Sequence, residues 1–221
     1  MNFLSHYYFD RDTTDCYFTL GTVLPDLLKN ADKTIILHPE KLIHSNPSVN
    51  SIIQGWNKHL LVDKYFHSSE FFLIHSHQLK KELSPVITGS PVKPFFLGHI
   101  AIELILDNLL ITNNKINVTD FYNHLDNCRE KVIRTFLEFA GMKKPDVFFE
   151  FYDEFKSSRY LNTYINIDQI TYALKRICMR VWTNPFTQQH EQDMCDILTT
   201  YRLSLLSTYK SIYQEISGQL A

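Results

Sequence analysis

At 221 residues, with 44% hydrophobic side chains and only 6 Gly and 8 Pro, the chain has a globular composition that excludes collagen-like, low-complexity and long-linker architectures. A formal charge of −2, with Lys and Arg in no run longer than two, supplies neither a basic footprint for nucleic acid nor a polybasic field for anionic lipid. The 16 Phe and 12 Tyr foretell a bulky core.

The opening MNFLSHYYFDRD has neither a positive n-region nor a long apolar h-region, so no secretory signal is expected. It places His6 in a short apolar segment. Helical periodicity follows over 13–29, where Asp26 stands in TLGTVLPDLL with Gly21 and Pro25 around it. Residues 31–50 are largely polar, contain two prolines and read as a long connection; TIILH at 34–38 is the sole strand candidate. Apolar stripes at helical spacing recur over 47–67, 69–83 and 94–111.

Residues 117–140 carry one continuous stripe, Val118, Phe121, Leu125, Cys128, Val132, Phe136 and Phe139, with Thr119 as its cap and Gly141 as its stop. Further stripes cover 146–164, 167–182 and 187–217, with Asp168 and Thr187 as start signals. The expectation is an all-α, single-domain chain over 1–221. No apolar stretch reaches 18 residues without an ionisable interruption, so no integral membrane segment is expected. Cys16, Cys128, Cys178 and Cys195 form no CxxC pair, which suits reduced thiols in a cytoplasmic protein. The last stripe (Ile197, Tyr201, Leu205, Tyr209, Ile212) fits a core face or a dimer seam, hence a monomer or a homodimer.

Two apolar segments carry ionisable groups at four-residue spacing. FFLGHIAIELILDNLL holds His99, Glu103 and Asp107; GWNKHLLVDKYFH holds His59, Asp63 and His67. Residues four apart share a helix face. Charges inside apolar helices are costly unless paired, solvated or bound to metal. Facing His-x3-(Asp/Glu) pairs are how helical bundles build metal sites, and mixed nitrogen and oxygen donors suit manganese, zinc or iron. A lone pair of this kind is more often a weak ion pair on a solvated face; two, both in apolar helices, favour a divalent metal. With His6 and Asp26 the candidate ligands are His6, Asp26, His59, Asp63, His99 and Glu103. His67 and Asp107, at the far ends of their rows, are expected outside the ligand set, as orienting groups or proton carriers in catalysis.

Arg176 and Arg180 lie four apart in KRICMR and offer a clamp for a phosphate or an acidic partner, against the plainer reading of snorkelling helix ends. His75 and His77 point to different helix faces. They are expected to be structural or surface groups, as are His38, His44, His124 and His190.

NFLSH, GTVLPD ending at Asp26, GWNKH with Asp63 four residues on, and RYLNTYINIDQITYALKRICMRV together resemble the acyl carrier protein phosphodiesterases, in order and through most of the chain. The resemblance implies an HD-like helical phosphohydrolase fold. It also implies manganese-dependent removal of 4′-phosphopantetheine from holo acyl carrier protein, with His6, Asp26, His59 and Asp63 as metal ligands or their immediate partners. The chain departs from the family pattern in three places: Leu60 stands where an Arg usually follows the motif His, His67 where an acid is usual, and FLGHIAIELILD replaces the central D-H pair. That last segment is similar to the zinc-dependent phospholipase C-like helical enzymes. Both groups imply phosphodiester hydrolysis. The rival expectation from another class is a catalytically degenerate binding or regulatory module on the same scaffold.

Overall fold

The computed structural model describes residues 1–221, and every regular element is helical: eleven α-helices and one 3-10 helix, with no strand. In chain order they are α1 (Phe3–Tyr8), α2 (Cys16–Ala31), α3 (Pro47–Ser68), α4 (Glu70–Val86), α5 (Pro94–Thr112), α6 (Val118–Asn127), α7 (Glu130–Phe139), α8 (Asp146–Ser158), a 3-10 turn (Tyr160–Ile165), α9 (Ile167–Met179), α10 (Gln188–Leu205) and α11 (Lys210–Leu220). The all-α expectation holds. The residues divide into two compact units, one of Met1–Ser5, Lys64–Lys115 and Thr163–Ala221, the other of His6–Asp63 and Ile116–Asn162; they are called unit 1 and unit 2.

Unit 2 is built on α2, which packs against α6 and α8. Leu20, Val23, Leu24 and Leu27 of α2 are fully buried, as are Phe121, Tyr122, Phe136 and Phe148 from α6, α7 and α8. Each such side chain contributes about 1.5–3 kcal/mol through burial. Asp15 starts α2 by accepting from the amides of Tyr17 and Phe18. Two glycines then let α3 approach: a Cβ on Gly21 would strike the Ile52 carbonyl and lie 2.9 Å from the Gly55 Cα, and a Cβ on Gly55 would strike the Phe18 carbonyl. The crossing is backbone on backbone, and only glycine permits it.

Unit 1 centres on α5, which packs against α4, α9 and α10. The helix is buried nearly all round, from Ala101 to Leu110 without a break. It is long and apolar enough to cross a membrane by length and composition alone, and it lies mostly inside the fold as a core helix does. Asn108, fully buried, donates to the Tyr164 and Ile165 carbonyls while its Oδ1 accepts from Arg202 Nε.

Six expectations about elements need correction. TIILH has no strand structure, having no partner strand; the Lys29 ammonium instead donates to the Ile35 carbonyl at 2.6 Å. The stripe over 117–140 is two helices, broken where Cys128 and Arg129 are extended. There the Cys128 thiol donates to the Cys16 and His124 carbonyls and the Arg129 amide to the Tyr17 hydroxyl, side-chain bonds that replace a helical turn. Its cap is Asn117, which accepts from the Thr119 amide, rather than Thr119; Gly141 does stop α7, at φ +97°. The stripe over 146–164 ends at Arg159, held left-handed at φ 50° with its guanidinium paired to Asp126 and stacked 4.7 Å over the Tyr122 ring. The last stripe likewise splits into α10 and α11. Thr187 caps α10 in a reciprocal box with His190, while Asn166 precedes α9 as its N-cap residue, ahead of the expected Asp168.

Candidate metal centres

The ionisable rows separate into two three-residue clusters, His6, His59 and Asp63 in unit 2 and His67, His99 and Glu103 in unit 1, each with its donor atoms within 4.8 Å of one another. Helix geometry accounts for the separation. Eight residues advance an α-helix by about 12 Å and turn it by roughly 80°. One row on α3 therefore cannot aim His59, Asp63 and His67 at a single point.

In unit 2, α3 supplies His59 and Asp63 and α1 supplies His6. The glycine crossing of α2 and α3 brings the His59 ring to the Thr22 carbonyl, 2.9 Å from Nδ1. A carbonyl only accepts, so Nδ1 carries the proton and Nε2 is left with its lone pair. That Nε2 lies 3.5 Å from Asp63 Oδ2, and His6 Nε2 lies 3.2 Å from Asp63 Oδ1. The two imidazoles stack with centroids 3.9 Å apart and planes 17° from parallel. Both rings are buried, while the Asp63 side chain is 32% exposed and opens the cluster to solvent.

His6 Nδ1 is buried without a hydrogen-bond partner, and Nε2 has only the Asp63 carboxylate, 3.2 Å away. An orphaned buried polar group costs about 1–3 kcal/mol. Burial, reinforced by the neighbouring His59, lowers His6 to about 3 against the opposing pull of Asp63. Burial alone would push the Asp63 carboxyl up, but the facing imidazoles hold it well below the usual carboxylate range. A neutral imidazole beside an ionised carboxylate is the protonation state that metal ligation requires. Ligand bonds of about 2.0–2.2 Å separate neighbouring donors in a tetrahedral shell by roughly 3.3–3.5 Å. The two imidazole-to-carboxylate spacings, 3.2 and 3.5 Å, are of that order, so the cluster could hold a cation.

In unit 1, α3 supplies His67 and α5 supplies His99 and Glu103. Glu103 Oε1 stands 3.2 Å from His67 Nε2 and 3.1 Å from His99 Nε2. The Met1 amine is 3.4 Å from the same oxygen. Burial pushes the Glu103 carboxyl up, but the amine and the two imidazoles more than offset it and hold it low. Phe72 meets both imidazoles edge to face, its centroid 4.9 Å from each.

The other candidates stand elsewhere. Asp26 is half-buried on α2 and belongs to neither cluster. Asp107 stands in neither cluster. Fully buried, it caps the first turn of α1, its Oδ1 accepting from the Ser5 amide at 2.8 Å and the Ser5 hydroxyl at 2.6 Å, and its Oδ2 from the Leu4 amide at 3.2 Å. Burial raises its carboxyl to about 7 despite those donors. His67, expected outside any ligand set, is a full member of the unit 1 cluster. Arg176 and Arg180 are exposed at the C-terminal end of α9. His75 is tied to the Tyr201 hydroxyl at 2.7 Å, and His44 and His190 make local backbone bonds.

Sequence reasoning missed the Thr22 carbonyl as the group that fixes the His59 tautomer, and Phe72 as the wedge behind His67 and His99. The first has no sequence signal beyond the GTVLP segment. The second follows three residues after the Ser69 cap and could be read only as core. No protein-family model, no curated protein and no solved structure matches the chain.

Proposed function

We propose that the protein is a metal-dependent phosphodiester hydrolase whose working centre is His6, His59 and Asp63. The observation that carries this reading is the buried convergence of the His6 and His59 imidazoles on the one Asp63 carboxylate, 3.2 and 3.5 Å from its oxygens. Two imidazoles and one carboxylate leave coordination positions free, the pattern of catalytic zinc and non-haem iron sites.

The chain's own groups divide the work. His59, its tautomer set by Thr22, and His6 hold the cation through nitrogen. Asp63 contributes the negative charge and faces the solvent side, where substrate would enter. The buried flank formed by the two rings keeps bulk water off the donors. When bound, a divalent manganese, zinc or iron ion supplies Lewis acidity toward a phosphoryl oxygen and a water nucleophile usable near neutral pH.

The phosphodiester class, and holo acyl carrier protein as the first substrate to try, rest on the resemblance of NFLSH, GTVLPD and GWNKH to the acyl carrier protein phosphodiesterases. Arg176 and Arg180 would offer cations to an acidic carrier protein. A second reading, a cation-binding module without turnover, draws on Leu60, which follows His59 where an Arg would be usual and whose side chain is 40% exposed.

The deciding assay loads the full chain with manganese, zinc or iron in turn and measures hydrolysis of bis(p-nitrophenyl) phosphate and release of 4′-phosphopantetheine. Turnover that His59→Ala abolishes supports the hydrolase. Metal bound at unit 2 without turnover of either substrate would favour the module.

A further inference from the structure

The unit 1 cluster has features that a surface ion pair does not need. Glu103 sits in a helix otherwise lined with Leu, Ile and Ala, and its side chain is only 11% exposed. An ionised group there costs several kcal/mol unless cationic charge is supplied to it, and the Met1 amine, 3.4 Å from Oε1, supplies part of that charge from one side. His67 and His99 come from different helices, yet both direct Nε2 at one carboxylate oxygen, 3.2 and 3.1 Å away. Their rings are inclined by 30° with centroids 5.1 Å apart, and the buried Phe72 stands against both. The rings are thus held from the apolar side, while their side chains remain 33% and 41% exposed on the other.

We infer that His67, His99 and Glu103 form a second divalent-cation site, independent of the His6–His59–Asp63 centre and in open exchange with solution. Its ligand is a borderline transition-metal dication, because two imidazole nitrogens and one carboxylate oxygen select zinc, cobalt, iron or manganese over magnesium or calcium. The two sites differ in access. In unit 2 two donors, the imidazoles, are buried and only the carboxylate is half-exposed; in unit 1 both imidazoles are half-exposed and only the carboxylate is buried. A cation in unit 1 therefore meets solvent through its nitrogen ligands and leaves faster. The inference stands whether or not the unit 2 centre hydrolyses anything.

Cobalt(II) titration of the chelator-stripped full chain tests it, because the visible bands of a bound cobalt ion report each site directly and need no substrate. The wild-type chain is expected to bind two equivalents, one of them removed rapidly by EDTA. His99→Ala and the near-isosteric Glu103→Gln should each lose only the rapidly removed equivalent, and His59→Ala only the slow one, with far-UV circular dichroism verifying the fold of each variant. Two equivalents persisting in both His99→Ala and Glu103→Gln would overturn the site. Loss of both equivalents in His59→Ala would overturn its independence. A single wild-type equivalent abolished by Glu103→Gln but kept by His59→Ala would support the unit 1 site and sink the unit 2 centre.

Discussion

The imidazoles of His6 and His59 lie face to face with centroids 3.9 Å apart, and only the second has its Nδ1 satisfied by protein, at the Thr22 carbonyl. His59 is anchored by backbone; His6 is held only through Asp63. That asymmetry makes the two residues separable by experiment.

Replacing His6 by Leu removes one orphaned polar atom, Nδ1, and a buried imidazole held only through Asp63. In EDTA the variant is expected to be about 1 kcal/mol more stable than the wild type in urea unfolding. With metal at about a hundred times its dissociation constant the wild type gains roughly 2.7 kcal/mol and the variant gains nothing at that site, so the order reverses. A variant less stable under both conditions would mean that His6 serves the fold alone.

The Gly21–Gly55 crossing makes a second prediction. Gly21→Ala or Gly55→Ala forces a methyl group into a neighbouring backbone and should cost about 3 kcal/mol or more, since backbone cannot step aside as a side chain can. It should also displace His59 from Thr22 and weaken metal binding by about 10–100-fold. Gly218→Ala is the control: it lies in α11 with open space around its Cβ position and should stabilise the chain by about 0.5–1 kcal/mol. Urea midpoints of the three variants give the comparison.

Asp107 imposes a pH dependence of a particular sign. Its carboxyl is raised by burial to about 7 in the folded chain, above the ordinary 3.8. The folded state thus binds the extra proton between those values, and stability falls as pH rises from about 4 to about 7, then levels off. The contribution is on the order of 4 kcal/mol at most. Asp107→Asn should flatten this slope while losing the bond from the Leu4 amide to Oδ2, about 1 kcal/mol. Urea unfolding at several pH values reads both; an unchanged slope in the variant would assign the pH dependence to other groups.

Asn108 is the polar knot of α5. Asn108→Ala strands the Tyr164 and Ile165 carbonyls and deprives Arg202 of one acceptor, which should cost about 3 kcal/mol. Asn108→Leu restores volume but not bonds, so it should recover little. Full recovery with Leu would show that packing rather than hydrogen bonding sets the value.

How much of this could be read from the sequence follows from which features are local. Periodicity located every long helix, and Thr187 and Gly141 marked a start and a stop correctly, because caps are decided by neighbouring residues. The breaks at Cys128 and Arg159 were illegible, since they depend on Cys16, Tyr17, Asp126 and Tyr122, residues distant in the chain or across a turn. His59, Asp63, His99 and Glu103 were visible as polar residues in apolar helices. Their sorting into two clusters was not, because four-residue spacing shows which groups share a face and not how far along the face one cluster can reach. Asp107 looked like its neighbours in the row until the amides of Leu4 and Ser5 were found on it.

The route by which unit 2 gathers its donors bears on when a cation can be captured. His6 and His59 are separated by fifty-three positions in the chain, and the ring of the second is oriented only after two glycine-bearing helices have closed on each other. Such non-local assembly is slow relative to helix formation. A nascent or partly folded chain can offer single imidazoles to passing metal but not the three-donor set. Any cation held at this position would therefore be captured late in folding, as a reporter of the finished unit rather than as a nucleus around which it forms.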